Sequence, residues 1–515
     1  MSPKLLHEVS FSLWKLLGGE NASEAQHAAL DVILSRLRAK NVLHPFGFYS
    51  HGFGDSEATA IIARDIRWIQ HQILRDDRND EQIEKSTIHT IDPVLQDCLP
   101  SEYPELKGLA TVHEGSFSTP PTSTSSVRFM PESCLRSRFQ LITPISWKEN
   151  ATSTIGSMSG TWPSQAIQNE SGVNAKQLQE MKRLQPVAII LAGTGEQGFD
   201  RRRQLVSLPL ARSNIASLIL ESPYYGSRRP VGQVASKLRS LTELPLLGRM
   251  TIEETRSIVQ WLRRRNGVSL DKASEKCTSD KHGAIVLAGV SMGGLHAAMS
   301  ASLLPQSWKD CGVASWLGPP SGAAVFTRGR LAFATDFDAL ANDVEGPVSS
   351  RSLDHNIEKL EELLYMQPGS ITPASAVRTG QWSNQMNEDP ISSEFSVPRS
   401  AMPTASDNAA LAAYFSNVPP LVLERTLRQA VRLLRLTDIT NFAPPPRPDA
   451  SIFVTGSADQ YVPRVQDTLD MWQHVREQWK GSDVRTVRGG HVTGSLFAIG
   501  TYVKTIVEVV RKLSR

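Results

Sequence analysis

Short, nearly continuous apolar runs recur along the chain, and each is too short for a helix yet too apolar to leave one face in water. Val187 to Ala192, Ile215 to Leu220, Ala284 to Ala288 and Val313 to Leu317 are such runs, and Ser451 to Thr455 and Val484 to Val487 continue the series. A strand that is apolar throughout has to be covered on both faces, as the strands of parallel sheets are. Helical patterns lie between the runs. Thr251 to Arg265 sets Ile252, Ile258, Val259 and Leu262 on one side, and Ile499 to Leu513 closes the chain. This alternation predicts an α/β fold with a mostly parallel central sheet flanked by helices.

The rhythm does not run end to end. Residues 1–110 read as a helical N-terminal extension, with three-to-four spacing in Ala22 to Ala39 and in Glu57 to Arg75. Between those helices, Phe46 to Gly54 is an aromatic and glycine-rich turn. Residues 111–330 form the first part of the core, entered by a strand at Arg138 to Thr143 and interrupted by a polar, flexible insertion at 150–182. Residues 331–448 break the pattern with a charged helix at Leu353 to Leu364, a polar segment to about Ser400, and helices at Ala409 to Phe415 and Val422 to Leu436. An insertion between late strands is expected to form a cap over the mouth of a site. Residues 449–515 complete the core.

Lys and Arg total 55 against 52 Asp and Glu, a net charge of +3, which gives no electrostatic case for a nucleic-acid partner. No apolar stretch approaches the length of about 18 residues that a membrane span needs, so any membrane contact is expected to be peripheral. Cys98, Cys134, Cys277 and Cys311 are far apart and make no CxxC pair. That excludes a disulfide framework and a zinc site from the expectations, implies neither metal nor cofactor, and points to a reducing, intracellular compartment. Met1 to Leu17 reads as an amphipathic helix rather than a targeting segment, since it carries Glu8 and lacks arginine. Oligomeric state leaves no signal.

Chemistry concentrates at Gly289-Val-Ser-Met-Gly-Gly294, directly after one apolar run and directly before a helix-compatible stretch, Leu295 to Leu304. A serine on a tight strand-to-helix turn lifts its hydroxyl off the sheet edge, and flanking glycines let the backbones pack closely enough for the turn. Two other Gly-x-x-x-Gly windows lack the central serine: Gly156 to Gly160 has Met158 and Gly318 to Gly322 has Pro320. A serine hydroxyl needs a base, and the base needs an orienting acid. Ser451-Ile-Phe-Val-Thr-Gly-Ser-Ala-Asp459 supplies strand, turn and acid, and Val484 to His491 supplies strand, turn and histidine. Ser291, Asp459 and His491 are therefore the expected nucleophile, orienting acid and base, with Asp336 and Asp338 as weaker substitutes for the acid. Oxyanion donors are expected from the Met292 amide and from the loop Gly193-Thr194-Gly195. Arg201, Arg202, Arg203, Arg228 and Arg229 follow turns at the same edge, where they either lie in water or hold an anionic headgroup. His296, on the helix behind Ser291, reads as a packing or surface residue.

These segments together resemble the α/β-hydrolase domain-containing protein 18 family. The resemblance rests on Leu191-Ala-Gly-Thr-Gly195 with Phe199-Asp-Arg-Arg-Arg203, on Glu221-Ser-Pro-Tyr-Tyr-Gly-Ser-Arg-Arg-Pro230 and on Gly289 to Gly294. Asp459-Gln-Tyr-Val-Pro463 and Gly489-Gly-His491 extend it, as do Phe48 to Gly54, Gly115 to Ser118 and Arg138 to Pro144. It implies an α/β-hydrolase fold, a triad at the three positions already argued, lipid or phospholipid esters as substrates, and a mitochondrial association; the expected compartment is cytoplasmic or mitochondrial. The Asn150 to Lys182 insertion and much of the cap depart from the family pattern. Two other readings of the same residues stay open: an inert fold used as a binding or assembly module, and an amidase or peptidase working with the same triad.

Overall fold

A computed structural model describes residues 22–39, 47–74, 80–120, 127–147, 185–264, 283–346, 349–365, 418–463, 466–496 and 498–515. The helix expected at Met1 to Leu17, the 150–182 insertion, the polar segment up to Ser400 and the helix expected at Ala409 to Phe415 lie outside the described residues.

The apolar runs form the centre of a nine-stranded sheet of order β1-β2-β3-β5-β4-β6-β7-β8-β9. Its strands are β1 Val94–Asp97, β2 Ala110–Ser118, β3 Arg136–Pro144, β4 Val187–Leu191, β5 Ala216–Leu220, β6 Ile285–Val290, β7 Cys311–Trp316, β8 Ser451–Gly456 and β9 Asp483–Val487. From β5 across to β9 every neighbouring pair is parallel. At the other end β1, β2, β3 and β5 pair antiparallel. Every residue of β4, β5 and β7 is buried, as continuous apolar runs require.

Alternate residues of these strands feed two cores. Ile189, Leu218, Leu287, Val313 and Phe453 pack on one face. Ala188, Ile190, Val286, Ala314, Ile452 and Val454 pack on the other, against Tyr502, Ile506, Val509 and Val510 of the closing helix Ile499–Leu513. The chain leaves β4 towards β5 on one side and then returns to β6 on the other. Such a reversal opens a crevice at the carboxyl ends of β4 and β6, where open α/β sheets place their ligands.

Periodicity placed the closing helix at its observed bounds and most strands within two residues. It did not show β1, which lies in the stretch read as helical, because an edge strand with Val94 68% exposed has no buried face to pattern it. Helix Glu243–Arg264 begins well before Thr251, where periodicity first becomes legible. Pro245 falls in its first turn, where a missing N–H breaks no helical bond.

The N-terminal extension and the 331–448 stretch interlock. Helix Ser349–Tyr365 packs on Glu57–Leu74, and Arg67 donates from Nε to the Leu363 carbonyl at 3.2 Å. Arg432 of helix Pro420–Leu434 pairs with Glu361 at 2.6 Å. The Phe48 to Gly54 turn zips onto residues 238–242: Tyr49 N–H donates to Leu238, His51 N–H to Arg239, and Leu241 N–H back to Gly52. Among the described residues no helix is long and apolar enough to cross a membrane, and no cluster of three or more His, Cys, Asp or Glu could hold a metal ion.

Gly115 faces Phe139 across the β2–β3 ladder, and a Cβ there would lie 2.1 Å from the phenyl ring. The bare glycine therefore lets the fully buried ring reach Phe117 and Trp261. Phe139→Ala should cost about 3–5 kcal/mol of stability, and Gly115→Ala about 1–3 kcal/mol through overpacking. Denaturant midpoints read both, and unchanged midpoints would contradict this packing.

Candidate active site

Ser291 leaves β6 with φ 57° and ψ −126°, a conformation costly for any residue with a Cβ. Three neighbouring glycines make the turn feasible. A Cβ on Gly289 would sit 2.3 Å from the Gly293 carbonyl carbon, and one on Gly293 would sit 2.5 Å from the Leu191 carbonyl oxygen. A Cβ on Gly294 would meet Ser315 Oγ at 2.6 Å. The helix Met292–Ser302 thus lies against β4, β6 and β7 at backbone contact distance, which only glycine permits. The Ser291 amide is fixed in turn by donating to the Trp316 carbonyl at 2.9 Å.

Asp459 and His491 come to the same rim from β8 and β9. Their loops are zipped together: Ser457 N–H donates to Val487 O at 2.9 Å and Ala458 N–H to Gly489 O at 3.0 Å. Asp459 divides its oxygens. Oδ1 accepts the amides of Tyr461 and Val462, both at 2.9 Å, and Oδ2 accepts from His491 Nδ1 at 2.8 Å. With Nδ1 protonated, Nε2 presents a lone pair, and it lies 2.9 Å from Ser291 Oγ. Tyr461 stacks on the imidazole at 4.9 Å between ring centroids. Histidine and aspartate are 7% and 4% exposed, so both side chains are largely screened from water. The geometry suits removal of a proton from Ser291 as its oxygen attacks a carbonyl.

Of the weaker acid candidates, Asp336 caps helix Phe337–Glu345 by accepting the Ala339 amide at 3.0 Å, and Asp338 is exposed on that helix. His296 is a packing residue. Its burial lowers the imidazole to about 4, so it stays neutral at physiological pH.

The donors around the crevice divide. Met292 is the first residue of its helix, where amides have no carbonyl within the helix to meet. Gly193 is corrected: its N–H donates to Glu196 Oε2 at 2.9 Å and is occupied, although its backbone runs beside the elbow. Thr194 and Gly195 remain from that loop. Gly195 has φ 80°, and a Cβ there would press on Ser236 at 3.0 Å.

Asp31 was not foreseen. It lies on helix Glu24–Ala39, fully buried, and accepts the amides of His491 at 2.6 Å and Val492 at 2.9 Å. The one trace in the sequence is an acid set among Ala28, Ala29, Leu30, Val32 and Ile33, where a solvated helix face would not be expected.

The chain matches the family model described as "Alpha/beta hydrolase domain containing 18" over residues 164–512. Among solved structures it is similar to an acetyl xylan esterase from Paenibacillus sp. R4, at 10% identity and a TM-score of 0.38, covering 88% of this chain and 96% of that one. Acetyl xylan esterase 1 from Thermoanaerobacterium sp. JW/SL YS485 is similar at 11% identity and a TM-score of 0.36, covering 90% and 98%.

Three of the five arginines considered for an anionic headgroup are corrected, because each is buried with its terminal nitrogens already engaged. Arg202 donates to the carbonyls of Ile190, Leu220 and Gly198, holding the ends of β4 and β5 together. Arg203 bonds Glu105 at 2.8 Å and Gln140 at 3.1 Å. Arg228 pairs with Glu254 through both terminal nitrogens, and its side chain and that of Glu254 are 1% and 0% exposed. Arg201 and Arg229 remain exposed. Arg228→Met strands the Glu254 carboxylate in the core, and should cost about 3–5 kcal/mol in chemical denaturation. A cost below about 1 kcal/mol would mean that the pair is solvated.

Proposed function

This chain belongs to the alpha/beta hydrolase domain containing 18 family and is a hydrolase, and on that premise we propose that it cleaves carboxylic esters through an acyl-enzyme on Ser291. The observation that carries the reading is the continuous relay from Ser291 Oγ through His491 to Asp459, at 2.9 Å and 2.8 Å. Ser291 Oγ attacks the ester carbonyl carbon while its proton passes to His491 Nε2. The carbonyl oxygen becomes an oxyanion, met by the amides of Met292 and of Thr194 or Gly195. Collapse breaks the bond to the alkoxy oxygen, and His491 returns its proton to the leaving alcohol. Water then repeats the sequence on the acyl-enzyme and releases the acid. Asp459 keeps its charge throughout, holds the imidazole in the required tautomer and balances the imidazolium.

Lipid and phospholipid acyl esters are the proposed substrates, following the family resemblance, with the helices of 331–448 as the cap that selects among them. The protein would then work in the cytoplasm or mitochondrion and meet its substrate at a membrane surface without entering it. Arg201 and Arg229 are the arginines left to meet an anionic headgroup.

Ser291→Ala should lower turnover of a p-nitrophenyl ester by roughly six orders of magnitude, to the background rate, with folding intact. The same change should abolish covalent capture by a fluorophosphonate probe. Turnover that survives it would remove Ser291 from the chemistry. A wild-type protein that neither turns over esters nor captures the probe, under several conditions, would favour an inert binding module. Lipid profiling of cells with and without the protein tests the substrate class, since its ester should accumulate in the latter.

A further inference from the structure

Helix Glu24–Ala39 lies far upstream of His491, yet it supplies a carboxylate to the first two amides of the short helix His491–Leu496. Asp31 Oδ2 accepts the His491 N–H at 2.6 Å, and Oδ1 accepts the Val492 N–H at 2.9 Å. The Gln460 N–H, next to Asp459, approaches Oδ2 at 3.4 Å. One side chain therefore touches both the acid loop and the start of that short helix. Gly490 gives way to it: a Cβ on that glycine would lie 2.4 Å from Asp31 Oδ2, so the glycine before His491 leaves room for the carboxylate. Arg488 adds a second tie, donating to the Ala22 carbonyl just ahead of the helix.

An acid in this place is not what packing alone would select, because burying it beside Asp459 is unfavourable. Burial first and the Asp459 charge second push the Asp31 carboxyl up to about 6, while His491 and the two amides pull it back. The charges acting on it are those of Asp459 and His491, while Arg488 and Glu24 act on His27 of the same helix. Arg330 stands on a short turn that packs against that helix. Asp31 therefore carries its charge above about pH 6, where ester hydrolysis would run, and two carboxylates then meet His491, Asp459 at its ring and Asp31 at its backbone amide.

We infer that Asp31 is a positioning residue of the catalytic machinery, which clamps the His491 backbone against the acid loop and adds a second negative charge facing the imidazolium that forms as Ser291 attacks. The inference rests on the reading of Ser291, His491 and Asp459 given above. It makes the N-terminal helix, outside the residues 164–512 that the family model matches, a working part of the site.

The test compares full-length wild type with Asp31→Asn. The asparagine keeps the shape of the side chain, removes its charge and turns an amide group towards a backbone donor. On p-nitrophenyl butyrate, kcat should fall at least about tenfold with KM within about twofold, since the interaction strengthens only as charge develops. The acid limb of kcat/KM should move to lower pH, because loss of a neighbouring anion destabilises the imidazolium and lowers the His491 pKa. A merely structural role would leave the limb in place. Folded Asp31→Asn with wild-type kcat and an unmoved limb overturns the inference. If Asp31→Asn does not fold, Gly490→Ala displaces the carboxylate without removing it; a fall in kcat at constant KM supports the inference and an unchanged kcat overturns it. NMR titration of the His491 imidazole in the Ser291→Ala protein, with and without Asp31→Asn, needs no turnover. A wild type without esterase activity or probe capture would sink the reading of Ser291, whereas an imidazole pKa unaffected by Asp31→Asn would sink this inference alone.

Discussion

Backbone contact between the helix that begins at Met292 and the ends of β4 and β6 is the constraint from which the site follows. With Gly293 against the Leu191 carbonyl and Gly289 against Gly293, no side chain fits between helix and sheet. The chain can then turn from strand to helix only by passing through a residue at positive φ, and that residue is Ser291. Such backbone strain costs on the order of 1–3 kcal/mol and persists because strand pairing on both sides of β6 leaves no alternative. The same contact brings the Gly193 to Gly195 loop beside Ser291, so that loop and the serine are set by one packing event.

The partners of the serine are held in a different way. Asp459 stands on the loop after β8 and His491 opens the short helix His491–Leu496 after β9, where β9 is a half-buried edge strand and the sheet offers less support. Side-chain-to-backbone bonds supply it instead. Asp459 accepts two amides of its own loop, Ala458 ties that loop to Gly489, and Asp31 accepts the first two amides of the short helix. Each bond satisfies a buried donor that would otherwise be costly, so orientation of the imidazole and satisfaction of the loop amides are the same requirement.

Buried ions divide the arginines in a way that residue type does not reveal. Arg202 and Arg203 are adjacent to the exposed Arg201, and Arg228 is adjacent to the exposed Arg229, yet only the exposed ones are open to water. The buried ones are matched by groups distant in sequence: Leu220 for Arg202, Glu105 for Arg203 and Glu254 for Arg228. A run of like charges at the rim of a crevice looks like an anion site until the partners are in view.

The sequence by itself determined the α/β alternation, the strands from β3 onward, and the serine, acid and histidine at strand ends. Those features are written locally, in apolar runs, in glycine spacing and in the turn after each strand. It could not determine β1, whose exposed edge leaves no burial pattern, nor the start of helix Glu243–Arg264, nor the engagement of the Gly193 amide by Glu196. Asp31 is the clearest case. Its meaning depends on amides that stand next to it only after the N-terminal helix has docked on the short helix His491–Leu496. Periodicity records which face of an element is buried, whereas the partner of a buried charge is fixed by how distant elements pack, and only the tertiary structure carries that.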